Sequence, residues 1–238
     1  MAGVGASENK QPLNHLLAAL SPPDFALLQP HLRPVTLPVL KDLETPDRRI
    51  DSVYFIESGI ASVVAVQAKQ TRIEVGLIGR EGMSSTAVVL GADQSPHSTY
   101  MQVAGNGQRL PASELRKAMI ASASLRNLLL KFAQAFMVQT AHTAIANARA
   151  HIDQRLARWI LMAHDRTRDP TLPLTHEFLA LMLGVRRAGV TEALHSLKRQ
   201  KLIETHRSHI SLLSRKGVEQ IAGHFYGVPE KEYRRLID

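Results

Sequence analysis

The sequence predicts an α+β chain in three parts: an N-terminal antiparallel β-sandwich or jelly roll, a long helix, and a C-terminal helix-turn-helix with a hairpin wing. Three observations carry this. Residues 33–110 hold short segments rich in β-branched and aromatic residues, separated by turn signals. Residues 124–148 place apolar side chains at helical spacing. Residues 174–213, LTHEFLALMLGVRRAGVTEALHSLKRQKLIETHRSHISLL, read as a short helix, a glycine turn, a basic helix and a basic hairpin.

Residues 1–11 lack apolar periodicity and are expected to be disordered. The next part, 12–123, is expected to be one sandwich domain. It begins with a short helix over Pro12–Leu20, and Ser21-Pro22-Pro23-Asp24 has the form of a second helix start. Val53–Ile56, Ile60–Val66, Arg72–Ile78 and Tyr100–Val103 are the clearest strands. Pro111-Ala112-Ser113-Glu114 opens helical sequence, with Ser113 as its candidate cap.

The long helix and a hinge occupy 124–150. Leu125, Leu129, Phe132, Phe136, Gln139, Thr143 and Ala146 are spaced alternately four and three apart, a heptad seam. A second stripe, Leu128, Ala135, Val138, His142 and Ile145, lies on a neighbouring face. Two apolar faces suit two partners, the sandwich on one side and a second copy across a two-fold axis on the other. The seam is read as the dimer interface; the alternative is one wide stripe inside a monomer. Gln139 and Thr143 interrupt it, either to fix register or to touch a ligand.

A hinge at 148–151 leads to the third part, 151–238. Ile152, Leu156, Trp159, Ile160 and Ala163 form an amphipathic helix, and 169–173 a loop. Thr175 is an N-cap and Gly184 ends the following helix. The second helix runs from about Arg186 to Arg199, with Val190, Leu194 and Leu197 facing the core. Arg186, Arg187 and Thr191 lie outward at its N-terminal end, where such helices read base edges in the major groove. Arg199, Lys201, His206 and Arg207 suit phosphates, and Thr175 completes the expected DNA-facing set. Residues 202–205 and 209–212 pair as the wing, turning at 206–208. Residues 186–216 hold eight Lys or Arg against two Asp or Glu, which favours duplex DNA over a merely solvated basic helix.

Composition bounds the remaining chemistry. The 238 residues carry a net charge of +8, in keeping with a polyanionic partner. Cysteine is absent, which excludes disulfides, thiolate metal sites and cysteine-ligated clusters. No long apolar run and no hydrophobic leader are present, so a cytoplasmic location without membrane contact is expected. None of the eleven histidines pairs at a known metal-ligand spacing; a haem held by His142 is the weaker alternative to scattered surface histidines. Gly76, Gly79 and Gly82 read as turn residues, and Ser84-Ser85 has no adjacent base. No active site, metal or cofactor is expected.

This order of parts resembles the Crp/Fnr family of bacterial transcription regulators, from about residue 12 onward. The strongest segments are Val53-Tyr54-Phe55-Ile56-Glu57-Ser58-Gly59, Glu74-Val75-Gly76-Leu77-Ile78-Gly79-Arg80-Glu81-Gly82 and Leu181-Met182-Leu183-Gly184-Val185-Arg186-Arg187. The resemblance implies that the sandwich is a cyclic-nucleotide-binding-like sensor. It also implies that the long helix relays its state to the DNA heads of a homodimer. Arg187 stands at a base-reading arginine of the family's cyclic-AMP-responsive members, whereas Ala188 and Glu192 replace a glutamate and an arginine, which implies another operator. Glu81 can match the ribose-binding glutamate, but Arg80 replaces the glycine before it. His97 and Ser98 stand where an arginine–serine pair grips the cyclic phosphate, and Thr140 matches an adenine-contacting threonine. A neutral histidine cannot reproduce a charged guanidinium fork, so cyclic AMP is not the expected effector. Glu81, His97, Ser98, Gln139, Thr140 and Thr143 remain the candidate effector residues.

The expected function is a homodimeric regulator binding an inverted-repeat duplex, with RNA polymerase and an unidentified small-molecule effector as further partners. The alternative is a ligand-binding module that acts through a protein partner.

Overall fold

The computed structural model describes residues 12–67, 71–167, 171–206 and 209–238. The N-terminal segment 1–11, expected to be disordered, and Arg207 lie outside the described residues. Two short helices open the fold, α1 (His15–Ala18) and α2 (Pro22–Leu28). Strands β1 (Arg33–Leu37), β2 (Asp42–Glu44), β3 (Ser52–Ile56), β4 (Ile60–Gln67) and β5 (Thr71–Ile78) follow. After a single helical turn, α3 (Thr86–Val89), come β6 (Ser98–Val103) and β7 (Gly105–Pro111). These strands form two antiparallel sheets, ordered β2-β6-β4-β5 and β1-β7-β3.

Side chains alternate across each strand, so one strand feeds two cores. On β3, Tyr54 and Ile56 face the space between the sheets, together with Leu37, Ala61, Val63, Ile78 and Met101. Val53 and Phe55 point the other way and pack under α1, α2 and the helices after β7. Weak or polar strands were the ones not legible beforehand. β1, β2 and β7 contain Pro34, Asp42 or several glycines and are held by pairing, such as Val35 with Gly107 and Phe55 with Gln108. Gly59, at φ 81°, turns β3 into β4 where a Cβ would meet the carbonyls of Val103 and Ala104.

Helix α4 (Ala112–Ala121) precedes the long helix α5 (Ala123–Arg149). Ser113 does not cap α4, whose N-cap is Pro111 without a side-chain bond; Ser122 caps α5 by accepting from the Leu125 amide. The heptad seam on α5 is satisfied within the chain. Leu125, Leu129 and Phe132 are buried under the sandwich, Phe136 packs on the inter-sheet core, and Gln139, Thr143 and Ala146 are buried. The seam expected to pair with a second copy is thus the intramolecular face. Its polar members confirm the direction: the Gln139 amide accepts from Leu77 N at 2.7 Å and donates to Leu77 O at 3.1 Å.

The chain then folds back through Ala150 and His151 into α6 (Ile152–Arg166). β8 (Thr171–Pro173), α7 (His176–Leu183), α8 (Arg187–Arg199), β9 (Ile203–His206) and β10 (His209–Leu212) build the C-terminal head. Part of the expected 169–173 loop is β8, which pairs Leu172 with Ile210 and adds a third strand to the wing. His206 ends β9 rather than standing in the turn. Two further helices, α9 (Arg215–Ala222) and α10 (Val228–Ile237), had no counterpart in the sequence reading. α10 lies along α5, with Tyr233 and Ile237 packed on the core beneath it.

Asn14 ties the first helix to this framework. It is fully buried, caps α1 by accepting from Leu17 N, and donates from Nδ2 to Ile56 O and Gly82 O, both at 2.7 Å. Asn14→Ala removes three hydrogen bonds to backbone groups in a buried site and leaves Gly82 O only the longer bond from Ile56 N, so urea unfolding is expected to show a loss of roughly 2–4 kcal/mol.

Candidate nucleic-acid interface and effector cavities

Local chemistry shapes the two helices of the head. Thr175 accepts from Phe178 N at 3.2 Å and starts α7. Gly184, at φ 59°, ends it, with Val185 N returning to Ala180 O and Gly184 N to Leu181 O. α8 ends the same way, but Lys201 holds the left-handed position at φ 58°. There Leu202 N donates to Leu197 O and Lys201 N to Lys198 O. Val190, Ala193, Leu194 and Leu197 are buried against α6 and α7, which fixes the opposite face of α8 outward.

On that outward face Arg186, Arg187, Ala188, Glu192 and His195 are exposed. Arg186 is the N-cap, so the helix begins one residue later than its sequence suggests. Arg187 Nη1 is 3.0 Å from Glu177 Oε1, with both side chains more than half exposed, so the pair is easily exchanged for a phosphate or base. Thr191 Oγ1 donates to Arg187 O at 3.1 Å and lies 3.0 Å from His176 Nδ1. Arg199 and Lys201 are exposed at the far end of α8, and His206 is 3.0 Å from Glu204 on β9. Arg186, Arg187, Thr191, Thr175, Arg199, Lys201 and His206 therefore belong to one small head, Arg186 and Arg187 at the α7–α8 turn and Thr175 at the start of α7.

The expected effector residues do not come together. His97 and Thr140 line a cavity of about 70 Å³ between the sheets and α5, with Glu44, Ser85, Ser95, Thr99 and Phe136. It holds no arginine, and the largely buried Glu44 carboxyl, raised in pKa by desolvation, stands inside it. Thr140 Oγ1 donates to Phe136 O. Ser98 lies on β6 outside the cavity lining, paired with Val64. Glu81 and Gln139 instead line a larger cavity of about 270 Å³ between the sandwich, α5 and the head. Glu81 Oε1 is 2.8 Å from Arg166 Nε of α6 and also accepts from Gly79 N. Thr143 donates to Gln139 O and accepts from Arg158 Nη2, so it serves the α5–α6 contact.

The seam between sandwich and head holds groups that sequence reasoning missed. α7 rests on the outer face of the β2-β6-β4-β5 sheet, where Phe178 and Met182 meet Val64 and Tyr100. Trp159 Nε1 donates to Glu74 Oε1 at 2.7 Å. Arg158 Nε donates to Phe225 O, Arg155 bonds Asn147 and Leu183 O, and Tyr233 donates to Glu81 O at 2.7 Å. Tyr226 donates to Asp165, which also pairs with Arg215 at 2.8 Å. The one available signal was Arg158 and Arg166 on either side of the run Trp159–Ala163 in α6, on or beside the apolar stripe, where buried partners are demanded.

Comparison with known proteins agrees with this geometry. Residues 154–221, covering most of α6 through α9, match the Crp-like helix-turn-helix domain. That segment of the chain is a Crp-like helix-turn-helix domain. A Crp/Fnr family transcriptional regulator from Eubacterium rectale is similar over 87% of this chain and 97% of its own, at 17% identity and TM-score 0.67. FixK2 from Bradyrhizobium japonicum is similar over 81% of this chain and 98% of its own, at 14% identity and TM-score 0.69. The c-di-GMP-responsive regulator CLP of Xanthomonas campestris covers 81% and 99%, at 16% identity and TM-score 0.61. The chain has the fold of Crp/Fnr regulators, as its motifs implied. No match was found among curated proteins. No helix among the described residues is long and apolar enough to cross a membrane.

A cavity of about 70 Å³ lined by the Glu44 carboxyl, with no arginine in its lining, offers a nucleotide phosphate little room and no guanidinium. Calorimetric titration with cyclic AMP is expected to show no tight 1:1 binding per subunit.

Proposed function

We propose that this protein is a homodimeric, sequence-specific DNA-binding transcription regulator of the Crp/Fnr type, not controlled by cyclic AMP. The observation that carries the reading is the Crp-like helix-turn-helix at 154–221, whose second helix presents Arg186 and Arg187 unburied at its N-terminal end. Two such helices enter successive major grooves of an inverted repeat, about 34 Å apart. Arg186, Arg187 and Thr191 read bases. Thr175, Arg199, Lys201, His206 and Arg207 hold the backbone. RNA polymerase, implied by the family resemblance, is the partner such a dimer would meet at a promoter.

The dimer forms through the face of α5 that the chain itself leaves open. Leu130, Gln134, Met137, Ala141, Ala144 and Ala148 are all exposed, spaced four and three residues apart. Leu130 and Met137, with Ile145 beside them, are among the exposed large apolar residues of the fold, and the alanines allow close helix approach. This face lies opposite the seam that the sandwich buries.

In gel-shift titrations against a selected operator, Arg187→Ala should cost about 1–3 kcal/mol and relax preference at one base pair. Lys201→Ala should weaken all duplexes alike and flatten the salt dependence. Equal, salt-insensitive effects would count against these roles. Met137→Glu places a charge in the open α5 face; sedimentation should then give a monomer, with operator affinity falling in parallel. A dimer that survives this change would refute the interface.

A further inference from the structure

Glu74 stands on the outer face of β5 where the sandwich meets α6 and α7. It is 5% exposed. Its Oε2 lies 2.5 Å from Ser62 Oγ of β4, and its Oε1 accepts from Trp159 Nε1 of α6 at 2.7 Å. One partner belongs to the sandwich and the other to the head. Ser62 Oγ is also 3.4 Å from Met182 Sδ of α7. A serine hydroxyl has one hydrogen and cannot donate to both. If Glu74 is protonated, all three contacts are filled. Its O–H donates to Ser62 Oγ, Ser62 donates to Met182 Sδ, and Trp159 donates to the carbonyl oxygen.

We propose that Glu74 is a proton-operated catch, holding the head docked on the sandwich while neutral and loosening it when ionised. Burial pushes the Glu74 carboxyl up to about 7, outweighing the lowering by Ser62, by Trp159 and by the charges of Arg158 and Arg166. Undocking returns it to water, where a glutamate titrates near ~4.3. The docked state therefore binds the proton more tightly. Its contribution to docking is complete below the undocked value and is lost as pH rises through about 7.

The groups facing Glu74 are known from each packed element. β4 brings Ser62 and Val64, and α7 brings Phe178 and Met182, all without charge. β6 brings Tyr100, whose pKa is raised by burial and by Glu74 itself, with Arg72 of β5 acting on it. α6 brings Arg158 and Arg166. Arg158, lowered by desolvation to about 10, stays charged across the relevant range. Glu230 of α10 and Glu81 reach Glu74 only through these arginines.

Trp159 is the single tryptophan, so indole fluorescence reads this seam alone. In the full chain at constant ionic strength, acrylamide quenching of Trp159 should at least double between about pH 5.5 and 8.5. The midpoint should fall near 7 with far-UV circular dichroism unchanged. Glu74→Gln, an isostere of the neutral acid, should stay shielded throughout. Met182→Leu removes the sulfur acceptor that lets Ser62 accept from a protonated Glu74, and should move the midpoint to lower pH. Flat quenching in the unmodified chain overturns the catch. So does an unchanged pH profile in Glu74→Gln, a misfolded Glu74→Gln, or an unmoved midpoint in Met182→Leu. Any link to operator affinity rests on the DNA-binding reading. A pH-dependent Trp159 with pH-independent operator affinity supports the catch and removes that link, whereas a pH-dependent Trp159 in a chain that binds no duplex supports the catch and counts against the DNA-binding reading.

Discussion

Helix α6 has no exposed side chain, yet it buries two of its three guanidinium groups and an indole N–H. Taking such groups out of water costs several kcal/mol each unless partners wait for them. The partners come from every neighbour: Glu74 and Glu81 from the sandwich, Thr143 from the long helix, and the Phe225 carbonyl from the C-terminal segment. The head cannot shift relative to the rest without unmaking several of these bonds at once. A packed apolar surface alone would permit many near-equivalent placements; polar groups with directional demands permit few.

This arrangement changes what the β-sandwich contributes. Glu81, the residue that resemblance would assign to a ribose, is engaged by Arg166, and Tyr233 takes its carbonyl. Gln139 is spent on the Leu77 backbone. The inter-sheet cavity is narrow because Phe136 of the long helix lies in its wall, opposite a buried carboxyl. Positions that could hold a nucleotide instead hold the molecule together.

The sequence made the three-part order, the long helix and the α7–α8 turn legible because each has a strong local signature. Gly184 and Thr175 act where they stand, and the period of Val190, Leu194 and Leu197 leaves one face of α8 outward. The heptad of α5 was legible as a period but not as a destination. Leu125, Leu129 and Phe132 are more apolar than Leu130, Met137 and Ala141, so they looked the better seam, yet strength of hydrophobicity does not say which neighbour buries it. The strands β1, β2 and β7 owe their form to pairing partners far along the chain. α10 was missed for a like reason, since its place is set by Tyr233 and Ile237 reaching a core built from other elements. The Glu74–Trp159 contact joins residues 85 apart in sequence, beyond any local pattern.

The connection between α5 and α6 is only Ala150 and His151. Two extended residues span about 7 Å at most. Arg155 further staples the start of α6 to Asn147 on one side and the end of α7 on the other. A tether this short forbids the head from drifting away from the rod that carries it. Whatever releases the seam can let it swivel about a near-fixed pivot, so a small angle there becomes a large sweep at the wing tip while the base of the head stays at the end of its rod.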